Sequence, residues 1–177
     1  MEKNTIKIIG VGSAGCNAVN NMYQNSILGA DYYVCHTSAN ALKNSPIQNK
    51  IQIGSVLTMG WETNMNPELG EKAAMENIVE IREMLVDTKF LLLVAGMGGG
   101  TGTGALPVIA KIAKDMGVQT VCIVTTPFNY ESGAKAIVAQ KGLKELKKYC
   151  ETVIKIPIEN IIQSNYGNYS GLIIKRL

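Results

Sequence analysis

Apolar runs that alternate with amphipathic stretches extend over residues 5–157. A run such as residues 89–96 is almost continuously apolar, which is typical of a strand buried on both faces of a parallel sheet. The clearest helical stripe has spacings of four, three and four residues and consists of Ala74, Ile78, Ile81 and Leu85. The pattern predicts strands at 5–12, 31–37, 50–54, 89–96, 119–126 and 152–157. It predicts helices at 14–24, 39–44, 105–117 and 132–149, and one that opens at Asn66-Pro67-Glu68 and extends through Leu85.

The order of these elements determines the fold class that we expect. Strands that alternate with helices predict an α/β fold with three layers, in which helices cover both faces of a mostly parallel, doubly wound sheet. Ligands of such sheets bind beyond the carboxyl ends of the strands. We expect one α/β domain at residues 1–157, followed by a polar tail at 158–177 with no second domain.

Composition and charge exclude several classes of protein. A chain of 177 residues that is 46% hydrophobic fits one compact core. The net charge of +3 is too small to indicate nucleic acid as a partner. The longest apolar run, residues 90–95, is far shorter than the ~20 residues of a membrane span, and the N-terminus lacks the pattern of a signal peptide. We therefore expect a cytoplasmic protein with no membrane span.

The cysteine and histidine content gives no indication of a metal site. No CxxC pair occurs, so we expect reduced, partly buried thiols at Cys16, Cys35, Cys122 and Cys150. His36 is the only histidine, which excludes a site with two histidine ligands. We assign no catalytic residue and no metal ligand in this chain.

Two glycine-rich turns carry the candidate chemistry. Residues 10–15 follow the first predicted strand, and residues 96–104, with six glycines in nine positions, follow a later one. A glycine-rich turn between a strand and a helix presents several backbone N–H groups to an anion, most often a phosphate. One such turn can exist for backbone geometry alone, but two at one edge of the sheet favour a phosphate ligand.

The surrounding residues narrow the class of phosphate ligand. Binding of NAD to the first turn needs an acid at the end of the second strand, but that strand ends in His36-Thr37-Ser38, and Asp31 lies at its other end. The sequence also contains no GxxxxGK[ST] loop. The class of phosphate ligand that remains is a mononucleotide held by the two glycine turns.

The glycine run also carries a specific resemblance. GGGTGTG at 98–104 resembles the signature loop of the tubulin/FtsZ superfamily, and several other segments are similar to its FtsZ branch. These are IKIIGVGSAGCNAVNNM at 6–22, NPELGEKAA at 66–74 and TTPFNYE at 125–131. The resemblance is continuous from about Ile6 to Pro157, which is nearly the whole chain.

The resemblance implies a site for GTP or GDP, with Mg²⁺ left open. The residues implied around the phosphates are Gly12, Ser13, Ala14, Gly96, Gly99, Gly100, Thr101 and Gly102. Asn17 would lie near the base, and Glu131 would accept a hydrogen bond from the ribose. Lys135 occupies a position where the family usually has an arginine, so it keeps the charge but loses bidentate geometry.

The chain departs from the family pattern at four places. Ser13 replaces a glycine, and His36-Thr37-Ser38 replaces Asn-Thr-Asp, which removes an acid near the phosphates. Residues 61–64 (WETN) replace the Gly-Ala-Gly segment near the γ-phosphate. Ile158 stands where the family has an Asn that recognises guanine. We expect weakened nucleotide binding with less selectivity for guanine, and we expect Trp61 to cover the edge of the core.

Two functions are compatible with this resemblance. The first is a guanine-nucleotide-binding protein of bacterial cell division, whose hydrolysis needs acids from another subunit. Its partner would be a second copy, in a dimer or filament, or a full-length FtsZ. The chain lacks the family's catalytic loop, so we expect it to be inactive as an isolated GTPase. The alternative is a non-catalytic relative that acts as an interaction or filament-modulating protein.

Overall fold

The computed structural model describes residues 5–25, 29–128 and 133–158, which form six strands and seven helices. The strands are β1 (Ile6–Val11), β2 (Asp31–His36), β3 (Asn49–Gln52), β4 (Phe90–Gly96), β5 (Gln119–Thr126) and β6 (Thr152–Pro157). The helices are α1 (Gly12–Gln24), α2 (Ala39–Lys43), α3 (Ser55–Thr58), α4 (Pro67–Glu76), α5 (Ile78–Leu85), α6 (Thr101–Asp115) and α7 (Gly133–Leu146). The short helix α3 was not predicted from the sequence pattern.

The six strands form one sheet in the order β3-β2-β1-β4-β5-β6, and every pair is parallel. This confirms the predicted doubly wound α/β fold, in which the predicted "mostly parallel" sheet is entirely parallel. The strand order reverses direction between β1 and β4, which are neighbours. Such a reversal opens a crevice at the carboxyl ends of the two strands.

Apolar side chains fill the space on both faces of the sheet. On one face, Leu93 and Cys122 are fully buried with Ile109 of α6. On the other face, Ile8 and Val94 pack in a cluster that includes Val19 of α1. The continuous apolar runs of the sequence therefore correspond to strands that are covered on both sides, as expected for a parallel sheet.

The single helix predicted between Asn66 and Leu85 is two helices, α4 and α5, which meet at Asn77. The backbone of Asn77 leaves the helical conformation (φ −111°, ψ 33°). Its side-chain Oδ1 accepts a hydrogen bond of 2.8 Å from the backbone N–H of Gly54. An Asn side chain that bonds a distant backbone group competes with regular helix, which explains why the apolar stripe continues while the helix does not.

Helix α6 begins four residues earlier than predicted, inside the glycine run. Gly104 belongs to its first turn, and a Cβ atom at Gly104 would collide with the carbonyl oxygen of Pro67 in α4. The backbones of the two helices therefore approach more closely than any side chain would permit. Part of the glycine run exists for contact between helices and not for a ligand.

The expectation for Trp61 was wrong, since 75% of its surface is exposed and it covers no core. The expectation for the cysteines was more accurate, because Cys16, Cys35, Cys122 and Cys150 are all free and buried.

Within the described ranges, no helix has the length and apolar character needed to cross a membrane.

Candidate functional site

Two helix N-termini meet at the crevice between β1 and β4. Helix α1 starts at Gly12 directly after β1, and α6 starts at Thr101 shortly after β4. Neither helix has a side chain that caps its first backbone N–H groups. The first N–H groups of a helix have no partner within the helix, and they carry the positive end of its dipole. Both helix starts are therefore suited to hold an anion.

Glycines permit the two helix starts to lie against each other. Gly12 has a φ of +72°, which side chains rarely adopt, and a Cβ atom there would lie 2.8 Å from the backbone nitrogen of Gly102. A side chain at Gly15 would collide with the carbonyl oxygen of Val94 in β4. The glycines of the first turn thus bring α1 onto β4 and next to α6.

A cavity of about 540 Å³ opens at this point. Nine of the eleven predicted site residues line it, namely Gly12, Ser13, Ala14, Gly96, Gly99, Gly100, Thr101, Gly102 and Lys135. Asn17 lies one turn further along α1 and is not part of the lining. Glu131 lies outside the described residues. The structure therefore brings the two glycine turns together in one cavity, as predicted from their placement in the sequence.

The two adjacent glycines of the second turn, Gly99 and Gly100, have different surroundings. A Cβ atom at Gly99 would meet no atom within 4 Å, so this position faces open space in the cavity. A Cβ atom at Gly100 would collide with the hydroxyl of Thr63 and lie 2.8 Å from the backbone nitrogen of Asn66. Gly99 therefore leaves room for a ligand, whereas Gly100 leaves room for the protein itself.

Three threonines form a buried group of hydroxyls beside the second turn. The Oγ1 atom of Thr101 lies 3.2 Å from that of Thr37 and 3.1 Å from that of Thr63. Thr37 follows β2 and Thr63 belongs to the loop before α4, so the group joins three separate segments. The resemblance aligned residues 61–64 with a segment near the γ-phosphate, but it did not single out Thr63, whose contact with Thr101 appears only in the folded structure.

His36 was not predicted as a site residue, yet it lines the cavity. Its ring lies at the end of β2 with only 1% of the residue exposed. The Nε2 atom is 2.9 Å from the Oγ atom of Ser13, and the Nδ1 atom accepts a hydrogen bond of 2.8 Å from the backbone N–H of Ser38. Burial lowers the pKa of His36, while the negative charge of Glu62 acts in the opposite direction. His36 stands where the family pattern has an Asn, and Ser13 stands where it has a Gly. The two departures from the pattern are therefore hydrogen-bonded to each other.

The remaining lining residues come from loops and strand ends. They are Val11, Glu62, Thr63, Asn64, Met65, Met97, Gly98, Thr125, Pro127 and Ile158. Glu62 is the one carboxylate that the described residues contribute to the lining, and Lys135 is the one ammonium group. In the described part of the chain, no three His, Cys, Asp or Glu side chains cluster as metal ligands would.

Known proteins with a similar sequence belong to a family of nucleotide-binding domains. The profile of the Tubulin/FtsZ family, GTPase domain, matches residues 5–165, which is most of the chain. The chain belongs to the tubulin/FtsZ family. The matched range includes both glycine turns and all six strands of the sheet.

Curated relatives within the tubulin/FtsZ family are close in sequence. The chain is 47% identical to "Cell division protein FtsZ" of Rickettsia felis over 161 residues, which are 91% of this chain and 36% of that protein. It is 47% identical to the protein of the same name in Aquifex aeolicus, over 88% of this chain and 42% of that protein. The chain therefore spans less than half the length of these relatives.

Two solved structures have the same fold as this chain. An "FtsZ dimer, empty" from M. jannaschii superposes with a TM-score of 0.89 at 35% sequence identity, over 97% of this chain and 50% of that one. A protofilament of CetZ2 from Haloferax volcanii, bound to GTPγS, superposes with a TM-score of 0.79 over 87% of this chain and 49% of that one. Since the second identity is only 23%, that likeness is evidence for the fold alone.

Proposed function

We propose that this chain is the nucleotide-holding domain of an FtsZ-like cell-division GTPase, and that GTP or GDP binds in the cavity between the two glycine turns. The observation that carries the proposal is the meeting of two uncapped helix N-termini, at Gly12 and Thr101, in one cavity at the switch point of the sheet. Phosphate oxygens satisfy such free N–H groups and complement the helix dipoles.

The proposed roles of the site residues follow from their chemistry. The backbone N–H groups of the two turns bind the phosphates, and Lys135 contributes a positive charge without bidentate geometry. Ile158 lies in the lining and has no side-chain group that can bond a base edge, so we propose reduced selectivity for guanine. Asn17 and Glu131 are proposed to approach the base and the ribose, respectively.

We propose that hydrolysis of GTP needs acids from another subunit. Among the described lining residues only Glu62 carries a carboxylate, so this part of the cavity presents no pair of acids that could activate water. The partner would be a second copy of the chain, in a dimer or filament, or a full-length FtsZ. We propose that any Mg²⁺ at the site accompanies the nucleotide, held by phosphate oxygens and water. We propose the cytoplasm as the location, where buried thiols stay reduced.

Substitution of Gly99 by valine tests the nucleotide site. The new side chain would enter open space in the cavity, so the fold should be preserved while the ligand is blocked. We expect loss of GTP binding in equilibrium dialysis. Gly133→Val is the matched control, because a Cβ atom at Gly133 also meets no atom of the described residues within 4 Å, and Gly133 is not among the lining residues. Unchanged affinity for GTP in Gly99→Val would refute the assignment of this turn.

A further inference from the structure

The strongest unexplained feature of the cavity is the contact between Ser13 and His36. Ser13 lies in the first turn of α1 with its surface exposed to the cavity, whereas His36 is almost fully buried beneath it. Their Oγ and Nε2 atoms are 2.9 Å apart, which is the distance of a good hydrogen bond. Among the described residues, the only further hydrogen bond to either side chain is the one that Ser38 donates to the histidine ring.

The bond from Ser38 determines which ring nitrogen of His36 carries the proton. A backbone N–H can only donate, so the Nδ1 atom of His36 must accept with its lone pair. The proton of the neutral ring is then on Nε2, which faces the Oγ atom of Ser13. This N–H donates to Oγ, and a hydroxyl oxygen that accepts leaves its own hydrogen available for another acceptor.

We propose that Ser13 and His36 together form a fixed hydrogen-bond donor for a phosphate oxygen of the nucleotide. Ser13 contacts the phosphate, and His36 is a positioning residue that occupies the lone pair of Oγ and directs the hydroxyl hydrogen toward the cavity. Accepting a bond from the imidazole also strengthens the hydroxyl as a donor, because linked hydrogen bonds polarise one another. The inference rests on the proposed function, since it requires the phosphates to lie in this cavity.

The structure also explains why a neutral histidine is suitable at this position. A second proton on the ring would sit on Nδ1 and face the N–H of Ser38, so the charged ring would lose that bond. The ring therefore acts as a neutral relay between the backbone of Ser38 and the hydroxyl of Ser13, and it adds no charge of its own. The phosphate would receive a polarised hydroxyl where the family pattern has only a glycine.

A cycle of variants tests whether the two residues act as one unit. Ser13→Ala and His36→Phe should each weaken binding of GTP by about tenfold, which is typical for loss of a hydrogen bond to a charged group. The double variant should bind no more weakly than either single variant. His36→Gln, whose amide can still donate from near the position of Nε2, should retain most of the affinity. Additive losses in the double variant would overturn the proposal.

Nitrogen NMR of the ring gives a readout that a merely structural role would not change. His36 is the only histidine, so its two ring nitrogens give a single, unambiguous pair of signals. We expect an unprotonated Nδ1 and a protonated Nε2, and we expect titration with GTP to shift the Nε2 signal in the wild type but not in Ser13→Ala. A proton on Nδ1 of the neutral ring would overturn the proposal.

The outcomes separate this inference from the proposed function. If the wild type binds GTP and Gly99→Val does not, but Ser13→Ala retains full affinity, only the role of Ser13 and His36 is refuted. If the wild type binds neither GTP, GDP nor pyrophosphate, the proposed function is refuted and this inference with it. Because Ser13 is exposed, Ser13→Ala should fold even if His36→Phe, which alters a buried ring, does not.

Discussion

Individual residues give the cavity a lining dominated by neutral donors. Three sets of donors face or support this space. They are the three threonine hydroxyls around Thr101, the bonded pair of Ser13 and His36, and the backbone N–H groups of the two helices. Charges are few in the described lining, with Lys135 and Glu62 as the only full charges. Recognition of an anion here would therefore depend on oriented dipoles, which act over short range and require exact placement.

The buried histidine should make the stability of the protein depend on pH. Burial lowers the pKa of His36 below its ordinary value of 6.5, although Glu62 opposes the shift. As pH falls below about 6.5, the unfolded chain binds a proton at this residue while the folded protein does not. Stability is therefore complete above pH 6.5 and decreases from there down to the lowered pKa, by at most about 1.4 kcal/mol per pH unit.

Urea unfolding of wild type and His36→Gln between pH 5 and 8 measures this effect. The variant lacks the titrating ring, so its free energy of unfolding should change less with pH over this range than that of the wild type. Equal slopes in the two proteins would show that His36 keeps its ordinary pKa in the folded state.

Helices and strands were predictable from the sequence to different degrees. Strands β4, β5 and β6 lie within one residue of their predicted bounds. For β4 the reason is that a run buried on both faces has a clear apolar signature. The break at Asn77 and the early start of α6 were not predictable, since both depend on groups distant in sequence. Asn77 bonds Gly54, and Gly104 packs against Pro67, and neither contact leaves a periodic pattern.

The close contact between α4 and α6 predicts whether a glycine-to-alanine substitution there raises or lowers the stability of the protein. Replacing a glycine by alanine inside a helix normally stabilises it by about 1 kcal/mol. Gly104→Ala should instead destabilise the protein by roughly 1–3 kcal/mol, because the added methyl group collides with the carbonyl of Pro67.

Chemical denaturation of Gly104→Ala and Gly133→Ala compares a crowded glycine with an open one. Gly133 begins α7 and has free space around its Cβ position, so the control should be as stable as the wild type or slightly more so. Stabilisation of the protein by Gly104→Ala would mean that the two helices are further apart than the structure places them.

At the scale of the whole molecule, the position of the site follows from the topology of the sheet. The sequence placed both glycine turns at the carboxyl edge, and the reversal of strand order between β1 and β4 explains why they share one cavity. The resemblance aligned residues 36–38 and 61–64 with segments near the phosphates. The contacts of His36 with Ser13 and of Thr63 with Thr101 were not predictable, because they depend on distances between β2, the loop before α4 and the two helix starts. The domain boundary at 157 stays a prediction, as residues 159–177 lie outside the described part of the chain.

Calorimetric titration of the purified chain with GTP, GDP and ATP tests the central claim most directly. The two helix N-termini should bind the phosphates of all three nucleotides, and any preference for guanine should be modest because Ile158 offers no bond to the base. We predict dissociation constants for GTP and GDP between about 1 μM and 1 mM, with ATP binding more weakly. Absence of binding by every nucleotide would contradict the account and would leave the two glycine turns with a purely structural role.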